Sequence, residues 1–199
     1  MVNDYLLVGL GNPGKEYVGT RHNFGFLAVS HFADLYQIEF VKSAKYHGLV
    51  GSGTVEGKKV YLLLPLTYMN VSGVAVCAMV KDKGIPLANV LVLCDDFHLD
   101  FGEIRIRPQG SSGGHNGLTS VFEHLGSKEI ARLRLGIGAP QEKSQVTDFV
   151  LSGFKAGERK RLPEVVAEAA DCCHVFLKEG ISQAMTRFNK RSKKEEEKE

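Results

Sequence analysis

Two residues of this 199-residue sequence are placed for acid–base chemistry. His22 stands in the polar stretch Thr20-Arg21-His22-Asn23, between a glycine-rich turn and a helical pattern, where solvent can reach it. Asp95 ends the apolar run NVLVLC, and functional groups of α/β sheets collect at the carboxyl ends of strands. A carboxylate there can fix an imidazole in one tautomer and raise its basicity, which makes a general base of an ordinary histidine. Asp96 competes with Asp95 for that role. Asn12, Asn70 and Asn116 each lie where a strand or loop meets a helix. Such amides commonly cap helices, and they can also donate to a carbonyl or a developing oxyanion. Met69 and Tyr17 can line an apolar slot beside them, although a core position is the default for both.

Other chemistries lack their local machinery. There is no G-x-S-x-G elbow, H-E-x-x-H helix or P-loop. GLGNPG fits the dinucleotide fingerprint G-x-G-x-x-G, but Pro13 interrupts the turn, no apolar periodicity follows it, and the acidic residue expected on a second strand is missing. Those glycines are better read as a tight turn presenting Asn12. Cys94 closes an apolar strand and reads as filler, and the four cysteines show neither C-x-x-C spacing nor a disulfide framework. A metal-dependent hydrolase using His22, His115, Asp95 and Asp96 is the competing enzyme reading. We expect no metal and no cofactor.

The elements that must position these groups follow from periodicity. YLLVGL is a short buried strand, and Phe24, Leu27, Ala28, Phe32 and Leu35 recur at helical spacing behind Asn23, an N-cap residue type. LVGSGTVEGKKVYLLL splits into a hairpin around Glu56-Gly57. A helix through Met79 stops at Gly84, and NVLVLCDD is a second buried strand. EIRIR alternates, so Ile104 and Ile106 face one way and Arg105 and Arg107 the other. LTSVFEHL is a helix, ARLRLGIG a strand, and residues 157 to 178 a long helix with Leu162, Val165, Val166, Ala169, Cys172 and Cys173 inward. The pattern predicts one three-layer α/β domain over 1–186, with a mixed, mostly parallel twisted sheet and flanking helices.

Charge narrows the partners. The net +2 comes entirely from residues 187–199, where six basic residues meet four acidic ones. The body is therefore neutral, and attraction to nucleic acid has to come from a local patch. We expect the tail to be solvated and disordered. No apolar run approaches the roughly 20 residues of a membrane span, and the N-terminus lacks a signal-peptide layout. The expectation is a cytoplasmic monomer without an obligate protein partner.

Taken together, GLGNPGKEYVGTRHNFGF, PLTYMNVSG, CDDFHLDFGEIRIR, GSSGGHNG, RLRLGIGAP and VTDFVLSGF resemble the bacterial-type peptidyl-tRNA hydrolase family, over residues 5 to about 154. The resemblance implies hydrolysis of the ester joining a peptide to the 3′ ribose of tRNA, on a single mixed-sheet α/β domain. It implies His22 as the catalytic histidine and Asp95 as its orienting carboxylate. Asn12, Met69, Asn70, His115 and Asn116 would line the substrate crevice with Tyr17 beside it, and Arg105, Arg107 and Arg134 would approach the tRNA. Leu64 and Leu66 depart from the family, whose members often carry lysine and a polar residue there, and arginine replaces the lysine of some members at 105 and 107. The GSSGGHNG glycines would let backbone approach a ligand closely, with His115 and Asn116 projecting toward it. A non-catalytic RNA-binding protein on the same fold is the alternative from another class.

Overall fold

A computed structural model describes residues 4–140 and 142–189. The seven strands β1 (Tyr5–Gly9), β2 (Val41–Ser43), β3 (Gly48–Val55), β4 (Lys58–Pro65), β5 (Val90–Asp96), β6 (Ile104–Arg107) and β7 (Ala131–Gly136) form one sheet in the order β2-β3-β4-β1-β5-β7-β6. β4, β1, β5 and β7 run parallel at its centre, while β3 and β6 pair antiparallel at the two sides. Burial on both faces explains the continuous apolar runs of β1 and β5. At the hairpin, Glu56 and Gly57 both take positive φ (51° and 72°), the turn whose twist matches antiparallel strands.

Helices α1 (Phe24–Leu35), α5 (Ala156–Glu179) and α6 (Ile181–Phe188) accompany one face, whose core includes Leu7, Leu62, Leu91 and Leu93. Helices α2 (Ser72–Lys83) and α3 (Asn116–Leu125) cover the other, over Leu6, Val8, Leu63 and Val92. The short α4 (Val146–Leu151) lies between β7 and α5 in the chain. Odd- and even-numbered residues of β1 thus feed separate cores, as strand alternation requires. The mixed three-layer architecture matches the expectation from sequence. The helix through Met79 does stop at Gly84, which takes the left-handed conformation of a C-cap.

Several details differ. Leu35 points to solvent, and Val29 and Ala33 join Phe24, Ala28 and Phe32 inward. Asn23 occupies the N-cap position of α1 but makes no cap hydrogen bond. Short helices α4 and α6 give too little periodicity to be read from sequence. The packed chain also passes residue 186: α6 ends at Phe188, and the Asn189 side chain accepts from Ile106 N at 2.9 Å and donates to Ile106 O at 3.0 Å along the edge strand β6. The rest of the charged tail, 190–199, lies outside the described residues. Among the described residues no helix is long and apolar enough to cross a membrane.

One close approach seats α1 on the strand ends. A Cβ at Gly25 would lie 2.5 Å from Leu10 N and 2.7 Å from Leu10 O, and it would also overlap Leu93 O. All three obstacles are backbone, so nothing can move aside cheaply. Gly25→Ala should therefore cost at least about 2 kcal/mol in urea denaturation. Gly157→Ala, on α5 with open space around it, should be neutral or stabilising by up to about 1 kcal/mol.

Candidate active site

Seating α1 in this way carries the turn before it, Arg21–Asn23, to the carboxyl end of β5. His22 Nδ1 lies 2.9 Å from Asp95 Oδ1. The Asp95 carboxylate is buried, while the His22 side chain remains 12% exposed. His115 reaches the same oxygen from the other side, Nε2 to Oδ1 at 3.0 Å, and the two imidazole rings stand 4.9 Å apart.

These bonds determine where the protons are. Burial by itself raises the Asp95 carboxyl, but attraction to and hydrogen bonding from His115, and then from His22, outweigh it and hold the group well below the usual carboxylate range. An ionised carboxylate only accepts. His22 therefore donates through Nδ1–H, and its Nε2 carries the lone pair. His115 donates through Nε2–H, while its Nδ1 accepts from Gly117 N at 3.1 Å and Leu118 N at 3.3 Å, capping α3. From the sequence, capping is one of two roles open to Asn116. The cap is His115, and Asn116 is the first helical residue, with its amide exposed.

A crevice of about 480 Å³ surrounds this centre. Its lining includes Asn12, His22, Met69, Asn70, Asp95, His115 and Asn116, together with Tyr68 and the α4 residues Val146, Thr147, Val150 and Leu151. Asn12 is held rigidly. Its N–H donates to Asn23 Oδ1 at 2.8 Å and its carbonyl accepts from Asn23 Nδ2 at 3.0 Å, while its own Oδ1 accepts from Met69 N at 2.8 Å. Its Nδ2 is left as the donor of that amide. Asn23, expected as a helix cap, thus clamps Asn12 instead.

Tyr17 is not among the crevice-lining residues; its carbonyl accepts from Thr20 Oγ1 at 2.8 Å and steadies the turn before His22. Asp96 is no rival to Asp95, because it pairs with Arg134 and accepts from His98 N at 2.8 Å. Arg105, Arg107 and Arg134 lie outside the crevice on the β6–β7 edge, where Arg105 stands opposite Arg134 and Arg107 opposite Arg132. Arg132, not singled out from sequence, is buried and donates to Gly110 O at 3.1 Å, tying the glycine loop to that edge. Its alternation with Arg134 in RLRLG was the available signal. Gly110, Gly113 and Gly114 take φ of 135°, 61° and 84°, a region other residues rarely enter. Backbone conformation accounts for 113 and 114, where an added Cβ would meet nothing; at Gly110 it would also collide with Arg132. A Cβ at Gly117 would collide with Met69 Sδ.

Burial, followed by the charges of Asp95 and Asp96, pushes the Cys94 thiol well above its ordinary value, which removes it as a nucleophile. His22, Asp95 and His115 bring one ligand atom each within 4.8 Å of one another. As a metal site the set is poorly supplied: both nitrogens of His115 and Nδ1 of His22 are already engaged. Asp96 is turned to Arg134, so the four-ligand set considered from sequence does not assemble.

Comparison with known proteins settles the family. The peptidyl-tRNA hydrolase family model matches residues 6–197. The chain belongs to the peptidyl-tRNA hydrolase family. It is 44% identical to the peptidyl-tRNA hydrolase of Syntrophotalea carbinolica over 94% of this chain and 97% of that one, and 46% identical to that of a Thermoanaerobacter species over 93% and 99%. A crystal structure of the Acinetobacter baumannii peptidyl-tRNA hydrolase superposes with a TM-score of 0.89 at 39% identity, covering 95% of this chain and 96% of that one.

The depressed Asp95 pKa gives a signed prediction. A carboxyl lowered in the folded state contributes stability that is present above its unfolded value near pH 4 and is lost as pH falls through the folded pKa. Wild type should exceed Asp95→Asn in unfolding free energy near neutrality. That advantage should shrink on acidification below about pH 4; growth of the gap with acid would contradict the assignment.

Proposed function

We propose that the chain hydrolyses the ester between a peptide, or an N-acylated aminoacyl group, and the 3′ ribose of tRNA, freeing the tRNA for reuse. The observation carrying this is the 2.9 Å His22–Asp95 pair at a crevice lined by three asparagines. Ester hydrolysis needs a nucleophilic water, a base for its proton and donors for the oxyanion. His22 Nε2 takes the proton, and Asp95 holds the ring through Nδ1 and offsets the imidazolium charge that forms. Asp95 stays ionised throughout. The proton then passes from Nε2 to the departing ribose oxygen. The Asn12, Asn70 and Asn116 amides position the water and the carbonyl, with Met69 beneath them.

His115 orients Asp95 and starts α3, which places Asn116 in the wall. Arg105, Arg107 and Arg134 attract the acceptor-stem phosphates from the β6–β7 edge, and the single-stranded acceptor end enters the crevice. Recognition of this kind acts on any tRNA whose ester is intact. The reading includes action as a cytoplasmic monomer without a cofactor.

His22→Ala should lower single-turnover cleavage of N-acetyl-aminoacyl-tRNA by roughly 10² to 10⁴, the range of general-base help, while uncleaved substrate still binds. Unimpaired cleavage would reject the mechanism. Removing the charge at Arg105 or Arg107 should flatten the plot of log affinity against log salt by about 0.9 for each phosphate no longer neutralised. A slope equal to wild type would remove that arginine from the tRNA interface.

A further inference from the structure

The residue before His22 is a buried cation with no part in the chemistry described so far. Arg21 is only 1% exposed. Its Nη1 donates to Ser152 Oγ at 2.7 Å and to Gly153 O, and its Nη2 meets Glu158 Oε2 at 2.7 Å. The guanidinium stands 4.5 Å from the centre of the Phe149 ring and 5.4 Å from that of Phe154. All five partners belong to α4, to the segment just after it, or to the first turn of α5. Two are rings beneath the guanidinium and three are oxygens shared between its two terminal nitrogens, a set that suits a planar fork of donors.

α4 has six residues and no side-chain cap at its start. A helix that short has little stability of its own in water. It nonetheless supplies Val146, Val150 and Leu151, along with Thr147, to the crevice that His22 and the asparagines also line. Its far end is therefore secured to the His22 turn by the Arg21 side chain. Backbone pairing lies beside it: Arg21 N donates to Ser152 O at 3.0 Å within the antiparallel bridge between Thr20 and Gly153. That pairing does not depend on the side chain at 21. His22 itself is held by Asp95.

We infer that Arg21 is a positioning residue that fixes the apolar α4 wall relative to His22 and so sets affinity for apolar side chains of the acyl group. This rests on the ester-hydrolase reading above. Loss of the guanidinium loosens a wall that grips substrate and transition state alike, so it raises KM and leaves kcat nearly intact. The effect depends on how far the acyl group reaches. A bulky apolar peptide touches α4, whereas an acetylglycyl group stops near the asparagines.

The test uses the full chain with two substrates, N-acetylglycyl-tRNA and a tRNA carrying an apolar tripeptide rich in leucine. Arg21→Met should raise KM about tenfold for the tripeptide and less than about threefold for acetylglycine, with kcat within about threefold for both. Arg21→Lys should not restore the tripeptide KM, because one ammonium cannot replace the fork. A parallel loss on both substrates, which a smaller folded fraction would give, overturns the inference, and so does an unchanged KM. Should Arg21→Met fail to fold, Ser152→Ala and Glu158→Ala each remove one partner and should shift the same ratio in the same direction by a smaller factor; equal effects on both substrates overturn it again. Wild type inactive on both substrates would instead reject the ester-hydrolase reading beneath it.

Discussion

A single carboxylate oxygen, Asp95 Oδ1, receives hydrogen bonds from two imidazoles. Its burial is costly, and only the paired donors make an ionised group tolerable there. That constraint spreads outward. The first imidazole must come from the α1 side of the sheet and the second from the α3 side, so both layers are registered on the same strand end. Since His115 uses its remaining nitrogen to cap α3, the charge at the centre and the start of a helix are parts of one network. Its members cannot be varied independently.

The sheet order explains why this point is available. After β1 the chain crosses through α1 to the edge strand β2, works back inward through β3 to β4 beside β1, then passes over the opposite face through α2 to β5 on the other side of β1. The carboxyl ends of β1 and β5 thus open between helices of opposite layers, the place where α/β sheets form crevices. Backbone packing at Gly25 sets the depth at which α1 sits there. The glycines that imitate a nucleotide fingerprint belong to the same close packing: a Cβ at Gly9 would overlap the Gly25 carbonyl, and one at Gly11 would enter the Phe26 ring.

What could be read from the sequence had either a period or a chemical neighbour. β5 running into its carboxylates, α5 with its inward cysteines and the Glu56-Gly57 hairpin all carried local signals. The pairing of His22 with Asp95, 73 positions apart, followed from placing one at a turn and the other at a strand end. Asn23 clamping Asn12 and His115 capping α3 left no such trace, because each is a side chain bound to an unremarkable backbone group. Tyr17 shows the converse: its backbone carbonyl steadies the turn, and its ring is not among the residues that line the crevice.

The Asn189 amide, which matches the donor and acceptor of Ile106, behaves as a one-residue strand. It occupies hydrogen-bonding groups on β6 that an edge strand would otherwise offer to any passing polypeptide. Shortening the chain to the point where its composition turns polar would uncover them beside a basic surface, leaving the domain prone to stick to its own copies through ladder pairing. Asn189 thus seals a sheet margin one residue beyond Phe188, the last hydrophobic residue of the sequence.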